Sequence, residues 1–112
     1  MTINDYQKAA LRTEKGSMAD VNPRLVNGLM GLCSEAGEAL DELKKHMFQD
    51  HWLDKTHIAK ELGDVAWYLA VSADALGYTL EEIFQMNVDK LLARYPNGFE
   101  AERSVNRKEG DI

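Results

Sequence analysis

Cysteine is almost absent from this chain of 112 residues, and Cys33 alone cannot form an intramolecular disulfide. That reads as an intracellular protein, with Cys33 as inert packing beside an apolar stripe. No apolar run approaches the roughly 20 residues that span a bilayer. The start, Met-Thr-Ile-Asn-Asp-Tyr, has neither the basic nor the apolar region of a secretory leader, so we expect a soluble, cytoplasmic protein without membrane contact. Positive charge is scarce: 13 Lys and Arg against 19 Asp and Glu give a formal charge of -6. This opposes binding to a nucleic-acid polymer or an anionic membrane, since both are usually gripped by Lys and Arg. There is no strand alternation, internal repeat, low-complexity tract, Gly-rich phosphate loop or Ser-His-Asp order.

The two prolines, Pro23 and Pro96, fall where helical patterns begin or stop. A first helix is predicted from Thr2 to Lys15, capped by Thr2 or Asn4 and ended by Gly16 and Ser17. A loop around Asp20 to Asn22 precedes a second helix from Pro23 to Phe48 with an apolar stripe of Leu25, Leu29, Leu32, Ala36, Leu40, Leu43 and Met47. After a linker from Gln49 to Leu53, a third helix from Asp54 to Leu76 should carry Ile58, Leu62, Val65, Leu69, Ala73 and Leu76 inward, with Gly77 as its stop. Thr79 and Glu82 form a capping-box pattern opening a fourth helix that ends at Tyr95. The expectation is one all-α domain over residues 1–98, four-helix bundle-like and completed by oligomerisation, followed by a polar tail over 99–112.

What the chain does have is four carboxylates in two pairs. Glu35 and Glu38 are spaced i, i+3, as are Glu61 and Asp64, and 22 residues lie between the pairs. On a helix this spacing puts both acids of a pair on one face. With Glu35 at zero, Glu38 falls at about 300° and Glu42 at about 340°, whereas the apolar stripe centres near 90°. Gly28 and Gly31 lie on the acidic face, marking either a ligand pocket or close helix packing. Glu61 and Asp64 share a face with Asp54, His57 and Tyr68, so the two pairs can face each other across a cleft. Four converging acids repel unless a hard cation sits among them, which points to Mg²⁺ or Mn²⁺. The competing reading is a solvated or interface-lining acidic face on a non-catalytic helical interaction protein, or a nucleotide sensor that binds without turnover.

On the fourth helix Asn87, Lys90 and Arg94 share one polar face, two cations and an amide suited to a polyphosphate. The alternative is a solvated basic face at the helix C-terminus. Trp52 and Trp67 can stack on a base or pack in a core. His46, His51 and His57 are scattered, neither acidic pair has the Glu-x-x-His form of di-iron bundles, and Asp54-x-x-His57 reads as a helix start with a surface histidine.

Glu35-x-x-Glu38, the spacer and Glu61-x-x-Asp64 resemble the signature of MazG-like nucleotide pyrophosphohydrolases. Asn87-x-x-Lys90-Leu91, Arg94-Tyr95-Pro96 and Gly98-Phe99 are similar to the segment that follows in small single-domain members. The resemblance covers roughly residues 24 to 107. It implies Mg²⁺-dependent hydrolysis of a nucleoside triphosphate to a monophosphate and pyrophosphate by a homodimer or homotetramer. It also implies metal ligation by Glu35, Glu38, Glu61 and Asp64, with Glu35 or Glu38 as general base. Lys90 would stabilise the leaving group, and Asn87, Lys90, Arg94, Tyr95 and Trp52 would contact substrate. The chain lacks a second copy of the motif, so it does not resemble the longer two-domain members.

Overall fold

In a computed structural model that describes residues 1–14 and 20–112, the chain forms five helices: α1 (Ile3–Leu11), α2 (Val21–Phe48), α3 (Lys55–Ala75), α4 (Leu80–Arg94) and α5 (Ala101–Val105). The fold is all-α, with no strand among the described residues. The expected stop at Gly16 and Ser17 lies outside the described residues. Helix α1 starts at a capping box in which Thr2 and Asp5 satisfy each other's backbone N–H groups. Helix α2 begins two residues before Pro23, so Val21 and Asn22 belong to the helix and not to the loop preceding it. Asp54 caps α3 by accepting from the His57 N–H. At its other end Gly77 takes φ 83°, and the N–H groups of Gly77 and Tyr78 close on Asp74 and Ala73. This is a Schellman ending that needs a residue without Cβ strain.

The described residues divide into two compact units, Met1–Leu80 and Glu81–Ile112. In the first, α2 and α3 run antiparallel: Gly28 lies against Ser72, Gly31 against Tyr68 and Glu42 against His57. A Cβ on Gly28 would overlap the Ser72 hydroxyl, and one on Gly31 would overlap the Tyr68 ring. Close packing of small residues is therefore what these two glycines provide. The ends are tied by polar contacts. Arg24 holds Glu14 at 2.8 Å and Asp74 at 2.6 Å, its guanidinium mostly shielded from water. These two hydrogen-bonding carboxylates, Glu14 first, raise the Arg24 pKa. Buried Gln7 donates to the carbonyls of Ala70 and Tyr78 and accepts from the Leu80 N–H, stitching α1 to the last turns of α3 and to the turn that follows it. Trp67 donates its indole N–H to the Ala10 carbonyl and the Thr13 hydroxyl, so it packs α1 on α3 and is not presented to a base.

Among the described residues the buried apolar side chains are mostly small: Ala10, Ala70, Val71, Ala73 and Ala75, with Leu80 the one larger. Of the six α3 residues expected inward, Ala73 is buried and Ile58, Val65 and Leu69 are half-buried, but Leu62 and Leu76 are 59% and 52% exposed. The face of α3 that meets α2 bears Glu61, Tyr68 and Ser72, so the apolar stripe lies to one side of the contact and only part of it is covered. Much of the α2 stripe is likewise exposed, including Leu29, Leu40 and Met47.

In the second unit α4 leads into a turn in which Gly98, at φ 88°, donates its N–H to the Tyr95 carbonyl, and Tyr95 stacks obliquely on Phe99. The segment read as a polar tail carries α5 and returns to α4 through Asp111, which accepts two hydrogen bonds from Arg94 at 2.7 and 2.8 Å.

Two glycines of α2 should respond oppositely to the same change. Gly31→Ala is expected to destabilise the protein by about 1–3 kcal/mol through overpacking on Tyr68. Gly37→Ala, with open space around its Cβ, should stabilise it by up to about 1 kcal/mol through helix propensity. Urea denaturation of both variants measures the difference.

Candidate metal centre

The i, i+3 spacing on each of two antiparallel helices brings Glu35 and Glu38 of α2 to Glu61 of α3. One carboxylate oxygen from each lies within 4.8 Å of the others. Glu61 is 8% exposed, Glu35 half-buried and Glu38 exposed, so the group opens from a buried floor toward solvent. Asp64, one turn beyond Glu61, is exposed and is not in this close group, but its charge adds to the repulsion on Glu35.

The two oxygens of Glu61 have different surroundings. Oε1 lies 2.9 Å from His57 Nε2, and the same ring turns Nδ1 toward Glu42 Oε1 at 3.4 Å. Oε2 is buried with no hydrogen-bond partner. A buried carboxylate oxygen without a donor is costly, and either a proton shared with a neighbouring acid or a cation would relieve it. The Glu35 carboxyl is the neighbour placed to share a proton with Glu61. It is pushed up to about 7, chiefly by hydrogen bonding to the Glu61 carboxylate, then by desolvation and by the charges of Glu38, Asp64 and Glu61. The second remedy fits equally well, because an all-oxygen carboxylate set suits a hard divalent ion such as Mg²⁺ or Mn²⁺.

Beside this group, Tyr6 of α1 reaches the Gly63 carbonyl at 3.5 Å, and burial followed by the Asp64 charge raises its phenol pKa. Trp52 is 82% exposed in the linker before α3, where it borders a shallow pocket with His46, Leu53, Asp54, Lys55 and Thr56. The second unit holds the other expected residues. Asn87 and Lys90 are exposed on α4, whereas Arg94 is engaged by Asp111 and lies 5.8 Å from the Tyr95 ring centre. The hydrogen bonds from Arg94 hold the Asp111 carboxyl below its ordinary range, helped by the charges of Arg107 and Lys90. Lys90 and Arg94 line a pocket of about 490 Å³ with Arg103, Asn106, Lys108 and Asp111.

The sequence reading missed the part played by His57 and Glu42. Their signal was present: His57 stands four residues before Glu61, and Glu42 shares the face of Glu35. Treating His57 as a helix-start residue hid that it also bridges two helices.

Because Glu35 binds its proton more tightly in the folded state, its contribution to stability is present below its ordinary pKa of 4.5 and is lost as pH rises through about 7. Metal-free protein should therefore lose stability across that interval, and Glu35→Gln should flatten the loss. Urea midpoints in a chelator, measured on both proteins between these pH values, give the comparison.

Residues 27–99 match the model of the MazG nucleotide pyrophosphohydrolase domain. The Gene 37 protein of Mycobacterium phage L5 is 36% identical over 73 residues, 62% of this chain and 64% of that one. The chain thus covers less than two thirds of that relative's length. No solved structure matches it. The matched domain takes in both acidic pairs, the linker between their helices and the whole Asn87 to Arg94 face, and on that match the chain belongs to the MazG nucleotide pyrophosphohydrolase family.

Proposed function

We propose that the protein hydrolyses a nucleoside triphosphate, NTP or dNTP, between the α and β phosphates in a Mg²⁺-dependent reaction, Mn²⁺ being the substitute. The observation that carries this reading is a buried glutamate, Glu61, whose Oε2 has no hydrogen-bond partner and whose carboxylate clusters with those of Glu35 and Glu38, within a domain of the nucleotide pyrophosphohydrolase family. Glu35, Glu38 and Glu61 would hold the ion, with Asp64 as the fourth acid. When bound, it would supply charge neutralisation for the triphosphate and a water of lowered pKa.

The remaining chemistry falls to the side chains. A water oxygen bonds to the α phosphorus, the bond from that phosphorus to the α–β bridging oxygen breaks, and pyrophosphate leaves. The water's proton passes to a carboxylate, Glu35 or Glu38, each of which belongs to the required cluster. Lys90 meets the charge growing on the leaving pyrophosphate, and Asn87 orients the nucleoside. Arg94 joins Lys90 at the phosphates, a role in which a phosphate oxygen replaces or supplements Asp111 on the guanidinium. Tyr95 and Trp52 offer aromatic surface to the nucleotide. The exposed apolar residues of α2 support a homodimer or homotetramer as the working form.

Incubation with Mg²⁺ and a panel of canonical and modified NTPs and dNTPs should release pyrophosphate. Glu38→Gln and Glu61→Gln should each lower the rate by roughly 100-fold or more. Silence across the panel, or undiminished release by both variants, would overturn the assignment. In a separate measurement without nucleotide, Mg²⁺ at about 100 times its Kd should raise unfolding stability by about 2.7 kcal/mol. Chelation should remove the gain, and Glu61→Gln should show none.

A further inference from the structure

We propose that His57 is a positioning residue for the metal centre, holding Glu61 by one oxygen so that the other is the one presented to the cation. The inference rests on the reading of Glu35, Glu38 and Glu61 as metal ligands. What it adds is a residue outside the paired-carboxylate pattern and a division of labour between the two oxygens of Glu61.

The geometry starts at the helix end. Asp54 caps α3 and accepts from the His57 N–H at 3.0 Å, which fixes the His57 backbone in the first turn. Four residues on, Glu61 lies one turn away on the same face. The His57 ring spans that turn, with Nε2 at 2.9 Å from Glu61 Oε1. Because an ionised carboxylate only accepts, the ring nitrogen carries the proton and donates it. This bond occupies Oε1 and stops the carboxylate from rotating to exchange its two oxygens.

Oε2 is then the only oxygen of Glu61 left open, and it is the one buried without a partner. Nδ1 faces Glu42 Oε1 of α2 at 3.4 Å, so the imidazole lies between carboxylates of both helices that supply the ligands, and the contact is attractive when the ring carries a proton on both nitrogens. In that form a ring held from α2 while holding an α3 ligand couples the placement of Glu61 to the separation of the two helices. Ligands are commonly oriented in this way by partners that never touch the metal, and losing such a partner typically costs about 10- to 100-fold in affinity.

Titration calorimetry with Mn²⁺ on the full chain tests the assignment. His57→Ala should weaken Mn²⁺ by about 10- to 100-fold, while His57→Gln, whose amide can donate from nearly the same place, should recover most of the loss. Circular dichroism in chelator confirms that each variant is folded. Electron spin-echo spectra of bound Mn²⁺ add a signature that packing alone would not move: no directly coordinated histidine nitrogen is expected, because the ring stays on Glu61. Unchanged affinity in His57→Ala, equal loss in the Ala and Gln variants, or a coordinated nitrogen that disappears with His57 would each overturn the positioning role while leaving the carboxylate site standing. Absence of Mn²⁺ binding by the unaltered protein would overturn both that site and this inference.

Discussion

The close approach of α2 to α3 is the constraint on which the site depends. Gly28 and Gly31 leave room for Ser72 and Tyr68, and no larger residue fits there without displacing them. Once the helices meet through that seam, continuation of the same faces carries Glu35, Glu38 and Glu42 onto Glu61 and His57. The acids do not gather by attraction. Packing farther along the helices forces them together, and the raised proton affinity of Glu35 follows from that, through its hydrogen bond to Glu61 first, then desolvation and the neighbouring charges.

Such a cluster opposes folding, so other contacts must outweigh it. Arg24 binds two carboxylates, Glu14 from the segment after α1 and Asp74 of α3, at the far end of the seam. Gln7 bonds three backbone groups, two carbonyls and the buried Leu80 N–H, and losing the partner of a buried group costs about 1–3 kcal/mol. Trp67 adds its hydrogen bonds from the opposite side of α3. These contacts are polar and specific, and they leave the helices little freedom to slide. Rigid support for an electrostatically unfavourable cluster is what a preformed cation site requires.

Much of this could be read from spacing. The i, i+3 acids, the helix punctuation at Pro23 and Gly77, and the shared face of Glu61, His57 and Tyr68 follow from a period of 3.6 residues and local capping rules. Periodicity also located an apolar stripe on α3, but it cannot say what covers a stripe, and Leu62 and Leu76 proved to face outward. The Gly28 and Gly31 face allowed two readings, and only the positions of Ser72 and Tyr68 decide between them. Arg94 illustrates a different limit. Its partner, Asp111, stands 17 residues away across a turn and a short helix, beyond any local pattern. A charge read as available can thus be engaged by a residue with no sequence signal.

The distribution of side chains is inverted relative to a self-sufficient helical bundle. Alanines, one valine and one leucine form the buried apolar set, and a glutamate lies buried among the helices, while Leu29, Leu40, Met47 and Leu62 are half or more exposed. A chain this small has limited means of covering its own apolar surface. Apart from the Tyr68 ring seated against Gly31, the seam between α2 and α3 takes acids and small residues, which leaves little room there for large aliphatic side chains. A second copy of the chain is the cover we propose. On this view, the demand of the site for a polar helix pair and the demand for an apolar partner surface have one origin: the α2–α3 seam cannot serve as both a carboxylate site and a hydrophobic core.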